Sequence, residues 1–392
     1  MNVKQLIKNT VPKPIWIKLR LIKAFAGRVL IRLFWICSID RKKIVFSNFH
    51  GKGFGDNPKY IAEAFLRRGG YTLYWLSNNK LQKFPKGIIP LRYGSILSLF
   101  HIATAKVWID NTRKEPYVVK KVGQFYLQTW HGSIALKRIE KDAEDSLDLF
   151  YIKNAIRDSK MIDLMISDSS FSDRLYGESF WYDGEVKRLG TPRFDPLFDK
   201  TNCEFIRKGL GIRTDQYVVL YAPTFRNNGD TSVYDIDLTA VKEAFATKTG
   251  KDVCLMVRMH PNIPAGYVSF DDNIAKDVTD YPDIYDLLKI SDALITDYSS
   301  LIFEFSVVDP KPVFSYAKDR DSYDRGFYFD IDKLPYLFAR TNKELIEGIS
   351  TFDQIEYEKR LRQFYKEIDL VADGNASDRV VRYIVERIEE EC

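Results

Sequence analysis

Short apolar runs, each closing on a polar turn, alternate with amphipathic stretches along this chain. Lys43-Ile-Val-Phe-Ser-Asn-Phe49 reads as a strand, and Asn57 to Arg68 as a helix stopped by Gly69-Gly70. Tyr71–Leu76, Lys106–Ile109, Phe125–Gln128, Leu164–Ser167 and Val186–Leu189 read as further strands. After a helical Glu204–Gly209 and a turn around Gly211, the pattern restarts with strands near 217–221, 253–257, 293–296 and 312–315. Strands separated by helices imply parallel sheets covered on both faces. The expected fold is α/β, with two Rossmann-like domains over 43–203 and 204–376 facing a central cleft. In the remaining 377–392, Ser377–Glu391 reads as a helix able to pack on either domain.

The junction from Asp286 to Glu304 carries the sharpest chemical signal. Ala293–Ile295 suits a central parallel strand, and Thr296, Asp297, Ser299 and Ser300 follow where a new helix should begin. Free N–H groups and hydroxyls at such a start could hold a diphosphate without a glycine-rich loop; an ordinary serine cap would read the same way. Three other strand ends repeat the arrangement: Thr129-Trp-His-Gly132, Tyr221-Ala-Pro-Thr-Phe-Arg226 and Arg258-Met-His-Pro261. Ligands of open α/β sheets bind at that edge, so these ends predict one shared cleft. With no G-x-G-x-x-G and no Walker sequence, dinucleotide and P-loop readings lose their usual support.

Two of the four histidines, His131 and His260, sit at predicted strand ends in opposite halves. A neutral imidazole at His131 can take the proton of an attacking hydroxyl, with Trp130 as a wall and Gly132 permitting close approach. His260 and Arg258 can stabilise anionic oxygens. A structural role is the alternative for both histidines, and it is the role assigned to His50 and His101. His50 also lies in a Gly-rich loop that could border the acceptor. Lys137, Arg193 and Arg226, with Thr224 in the same turn as Arg226, are candidate phosphate contacts, although a surface charge would explain each singly. No cluster has metal-ligand spacing, so no metal or cofactor is expected, and charge neutralisation falls to cations and hydroxyls.

Length, 392 residues, suits two domains, and 45% apolar with 29% charged residues suits a folded soluble class. The net charge of +5 is uneven: residues 1–43 hold eleven basic residues against Asp40, a local +10 that leaves −5 for the rest. Ile15, Trp16, Ile22, Phe25, Leu33, Trp35 and other apolar residues interleave with that charge in the segment 1–42. Arg28 and Arg32 interrupt every run long enough to cross a bilayer, and no clean apolar core leads to a cleavage site. The mixture suits an anionic membrane surface, although the charges leave no single clean apolar stripe; a docked helix with solvated charges is the alternative. No recognised motif supports a nucleic-acid partner. Cys37, Cys203, Cys254 and Cys392 are few and scattered, as in a reducing compartment.

Six ordered motifs, Trp130-His-Gly132, Gly190-Thr-Pro-Arg-Phe-Asp195, Tyr221-Ala-Pro-Thr-Phe-Arg226, Arg258-Met-His-Pro261, Ser291-Asp to Ser300 and Arg325-Gly-Phe-Tyr-Phe-Asp330, are followed by Asp373-Gly-Asn-Ala-Ser-Asp-Arg379. In this order they resemble the CDP-glycerol glycerophosphotransferases over roughly residues 43 to 385. The resemblance implies a GT-B fold at the cytoplasmic face of a bacterial membrane, and work on teichoic acid or capsular polymers. It also implies transfer of a polyol phosphate from CDP-glycerol or CDP-ribitol to a lipid-linked acceptor, with release of CMP. His131 would be the base; Arg258, His260, Thr296, Ser299 and Ser300 would contact the diphosphate, with Arg226, Asp297 and Glu304 also on the donor side. Glu304 stands where members often carry Asp, and Phe194 where Asn is common; Ser133–Lys137 lies in a variable stretch. These departures bear on substrate choice more than reaction class. A UDP-sugar glycosyltransferase or epimerase of the same fold, and a noncatalytic membrane-surface scaffold, are the competing readings.

Overall fold

The computed structural model describes residues 13–226, 230–260, 263, 271, 273–320 and 326–390. Residues 1–12 of the basic segment, Pro261, Arg325, Glu391 and Cys392 lie outside the described residues. Two wholly parallel sheets form the framework. The first contains β1 (Asp40–Ser47), β2 (Thr72–Ser77), β3 (Ile88–Arg92), β4 (Ala105–Asp110), β5 (Phe125–Gln128), β6 (Leu164–Ser167) and β7 (Glu185–Arg188). The second contains β8 (Tyr217–Tyr221), β9 (Val253–Val257), β10 (Ala275–Asp277), β11 (Ala293–Thr296), β12 (Val313–Tyr316) and β13 (Leu337–Ala339). Their orders are β3-β2-β1-β4-β5-β6-β7 and β10-β9-β8-β11-β12-β13.

Central strands are mostly apolar because helices cover both faces: every residue of β4 and β11 is buried. The strands absent from the sequence reading, β3, β10 and β13, are short and lie at or next to sheet edges. β3 carries Pro90 opposite Trp75 and exposes Ile89, tolerable where one side of the strand has no neighbour. The strand order reverses between β1 and β4 and again between β8 and β11, and crevices open beyond the strand ends at such reversals.

One apolar cluster runs through both domains, joining Trp108, Trp130 and Phe194 of the first to Tyr285, Ile302 and Phe303 of the second. The helix Ala376–Glu390 lies against the first sheet, where Val380, Ile384, Val385 and Ile388 pack with Ile44, Trp75 and Leu127. Asp195 caps that helix by accepting from the N–H groups of Ala376 (3.0 Å) and Ser377 (2.7 Å). The chain therefore crosses between domains twice.

The basic segment forms a helix, Lys13–Leu33, packed on the helix Ile96–Thr104. Ile31 is buried, Phe34 meets Phe100 edge-on, and Gly27 lies so close to Tyr117 that a Cβ there would sit 2.5 Å from the tyrosine Cβ. Ile22, Phe25, Val29, Leu33 and Ile36 recur at helical spacing and form an exposed apolar stripe, with exposed Lys18 and Arg32 seven residues either side of Phe25 on the same row. Two other basic residues of the helix are held against the first domain. Arg28 Nε donates to the Pro116 carbonyl at 2.9 Å, and Arg20 lies over the Phe150 ring.

Ile384 has no solvent exposure. Ile384→Ala is expected to cost about 2–5 kcal/mol of first-domain stability, read as a lower thermal unfolding midpoint. An unchanged midpoint would mean this helix is not part of that core.

Candidate active site

The turn after β5 sets the geometry of the first wall. Trp130 takes a left-handed backbone, φ 52°, which turns the chain sharply at His131. Phe49 and His50, after β1, are also left-handed, and such conformations cost about 1–3 kcal/mol each unless the surroundings enforce them. Here hydrogen bonds enforce them. Trp130 N–H donates to Gln128 Oε1 (2.9 Å), Phe49 N–H to Asn111 Oδ1 (2.9 Å), and Asn111 Nδ2 to Asn48 Oδ1 (2.7 Å).

His131 Nδ1 lies 2.7 Å from the Asn111 carbonyl. A carbonyl only accepts, so Nδ1 carries the proton and Nε2 keeps its lone pair. Burial lowers the pKa of the ring, and Phe49 and Trp130 flank it at 5.2 and 4.2 Å between centroids. The half-buried imidazole is thereby held neutral, in the tautomer of a base. Asn111 was missed in the sequence, although the predicted strand before it ends on polar residues as the other four junctions do.

The second wall comes from β8, β9 and β11. Ser299 and Ser300 are half-buried in the turn after β11, and Ser299 Oγ accepts from Leu301 N–H at 3.2 Å. The expected helix after them is a single turn, Leu301–Glu304, so its dipole is small and any anion would depend on local N–H groups and hydroxyls. The two walls meet here: a Cβ placed on Gly132 would lie 3.6 Å from Ser300 Oγ.

After β9, burial lowers the pKa of Arg258, and its Nη1 is buried with no hydrogen-bond partner among the described residues. His260 stacks on Phe225 and is pushed down to about 4 by burial and by Lys137 and Lys52 of the first domain. Lys137, Lys52 and Arg258 thus all lie near enough to His260 to act on its charge, and the sequence did not single out Lys52. Lys137 also pairs through its backbone with Phe327, joining the domains by a strand-like bridge.

Several expected phosphate contacts are placed otherwise. Thr296 is fully buried and gives its hydroxyl proton to the Ala222 carbonyl at 2.7 Å. Asp297 is buried and accepts from the N–H groups of Thr224 and Tyr298, shaping the turn after β8. Arg226 is held by Asp297 (2.9 Å) and Asp319 (2.7 Å) and donates to Thr224 Oγ1 (2.7 Å), so two carboxylates already neutralise it. Arg193 and Glu304 are buried against each other, with Asp56 on the arginine's other side. Nothing in the sequence distance between these residues signals the pairings. Among the described residues, no group of three or more His, Cys, Asp or Glu side chains is arranged to hold a metal ion.

The profile of the CDP-glycerol:poly(glycerophosphate) glycerophosphotransferase family matches residues 29–386. The teichoic acid poly(glycerol phosphate) polymerase of Staphylococcus epidermidis is 31% identical over 379 residues, covering 90% of this chain and 52% of that protein. The teichoic acid glycerol-phosphate transferase of Staphylococcus aureus is 32% identical over 367 residues, covering 88% of this chain and 93% of that protein. The chain spans about half the length of the S. epidermidis polymerase, and nearly all that of the S. aureus transferase. A solved structure of the wall teichoic acid polymerase TagF superposes with a TM-score of 0.81 at 29% identity, both chains covered in full. A UDP-N-acetylglucosamine 2-epimerase from Listeria monocytogenes, at TM-score 0.52 and 14% identity over 90% of this chain and 97% of its own, shares the fold alone. Two parallel α/β domains of GT-B type and this profile agree: the chain belongs to the CDP-glycerol:poly(glycerophosphate) glycerophosphotransferase family.

Proposed function

We propose that this protein transfers glycerol phosphate, or a related polyol phosphate, from a CDP-linked donor to a hydroxyl of a lipid-linked acceptor in teichoic acid synthesis. The acceptor oxygen attacks the polyol-bearing phosphorus, the bond to the bridging oxygen breaks, and CMP leaves with the electron pair. His131 Nε2 takes the hydroxyl proton. The observation that carries this reading is the His131–Asn111 hydrogen bond, which fixes the tautomer a base requires. Arg258, His260 and the Ser299–Ser300 turn would hold the diphosphate, and positioning with charge stabilisation would supply most of the catalysis. The donor is itself the activated species, and the reading invokes no separate cofactor.

The exposed stripe Ile22, Phe25, Val29, Leu33 and Ile36, with Lys18, Lys23 and Arg32 also exposed on this helix, supports peripheral attachment to an anionic bilayer. No described helix is long and apolar enough to cross a membrane. Attachment at the cytoplasmic face would bring a lipid-linked acceptor to the site.

Nucleotide release decides the reaction. Purified protein given CDP-glycerol or CDP-ribitol and a lipid-linked glycerophosphate acceptor should release CMP only with acceptor, and His131→Ala should lower the rate about 10²–10⁴-fold. Release of UDP from a UDP-sugar, with no CMP from either donor, would overturn the reading.

The pH profile tests the base. Burial lowers the His131 pKa below its ordinary 6.5, and the neutral ring is the active form. The acid limb of kcat/KM is therefore expected below pH 6.5, with a plateau above it; a limb at higher pH would count against His131. Phe25→Glu with Val29→Glu should reduce sedimentation with phosphatidylglycerol vesicles while leaving turnover of a short soluble acceptor intact. Undiminished sedimentation would rule out this stripe as the anchor.

A further inference from the structure

Two side chains assigned to substrate by their sequence positions are turned into the seam between the domains. Arg193 is 3% exposed and Glu304 1%. Arg193 Nη2 donates to Glu304 Oε1, and its Nη1 to Asp56 Oδ2 at 3.0 Å. Glu304 Oε2 accepts from the Tyr285 hydroxyl, and the Ser300 hydroxyl also reaches this carboxylate. In the other direction, Arg193 N–H donates to Asn57 Oδ1 at 3.0 Å, and Asn57 Nδ2 donates to the Trp130 carbonyl at 3.2 Å. An unbroken polar path thus runs from the residue beside His131, through Asn57, Arg193 and Glu304, to Ser300.

We propose that Arg193 and Glu304 form a positioning pair that touches neither donor nor acceptor and fixes the His131 turn relative to the Ser299–Ser300 turn. The proposal rests on the phosphotransfer reading. In-line displacement requires base, nucleophile and phosphorus in register, and a misplacement of about 1 Å can cost about 10²-fold in rate. Base and phosphate-holding turn lie on different domains, so their register depends on whatever crosses the seam between them. A guanidinium fork shared by two carboxylates in a dry interior accepts little change of distance or angle. The pair is buried, each terminal nitrogen of the guanidinium and each oxygen of the carboxylate already has a protein partner, and only the buried Arg193 Nε has none among the described residues.

Glu304→Asp keeps the charge and withdraws the carboxylate by one methylene, while Asn57→Ala cuts the path on the other side of Arg193. Each should lower kcat about 10–100-fold, with the KM for CDP-glycerol and the Kd for CMP within about 3-fold of wild type. The double variant should be no slower than the slower single one, because one path is cut twice. Tyr285→Phe, which removes one donor and keeps the ring, should show the same pattern at about 3–10-fold and serves if Glu304→Asp does not fold. A loss of CMP or CDP-glycerol affinity exceeding about 10-fold would make the pair a donor contact and overturn the proposal, as would unchanged kcat or additive losses.

A second readout does not depend on turnover. Spin labels at the exposed residues Leu81 and Ile355, in protein with its native cysteines replaced, report the separation of the domains. Glu304→Asp should broaden or shift that distance distribution, and an unchanged distribution overturns the proposal. If wild type releases no CMP, the phosphotransfer reading falls while the distance measurement still decides whether the pair holds the seam.

Discussion

Parallel pairing is the constraint on which the rest depends. A parallel strand must return to its start through a crossover, so each crossover begins at the same edge of the sheet, and every strand delivers its turn there. Both sheets reverse order near their middle, at β1/β4 and β8/β11, which parts the crossovers and opens a crevice in each. Asn48, Asn111 and His131 stand over or beside the first crevice, and Thr224, Asp297 and Ser299 over the second. The chemistry is therefore located by topology before any individual side chain is considered.

What those side chains can do is decided by burial and by prior commitments. Arg193 and Arg226 look like phosphate cations as isolated letters, yet each is surrounded by carboxylates that consume its charge. Arg258 differs because its guanidinium is drawn into the protein without a hydrogen-bonded partner for Nη1 among the described residues, leaving it the better prepared to receive an anion. The two histidines are both held neutral but for different ends. His131 gains a fixed tautomer from Asn111, whereas His260 is held neutral first by burial and then by the charges of Lys137 and Lys52.

Sequence reading reached the central strands because a strand covered on both faces must be mostly apolar, and β4, β5, β8, β9 and β11 all begin or end within a residue or two of the expected positions. It missed β3, β10 and β13, whose peripheral places tolerate Pro90, Lys276 and Asp277 and erase the apolar signature. At the site, the strand-end motifs were legible because they recur at one sheet edge. The partners of Arg226 and Arg193 were not, since Asp319 and Glu304 come from distant parts of the chain and only the folded arrangement pairs them. Thr296 was misjudged for a related reason: a hydroxyl at a strand end can as easily tie that strand to its neighbour as face a ligand, and here it ties β11 to the turn after β8.

The helix Ala376–Glu390 supplies Val380, Ile384, Val385 and Ile388 to the core under the first sheet, although the whole of that sheet is translated long before it. On the ribosome the first domain must wait, with one sheet face covered only in part by Ile61, Ala62 and Phe65, until the second domain and this helix have been synthesised. The Lys13–Leu33 helix, with its exposed stripe, emerges at the opposite end of that interval. Its exposed apolar face is thus synthesised long before the residues that complete the core of the domain behind it, and that face is not consumed when the core closes.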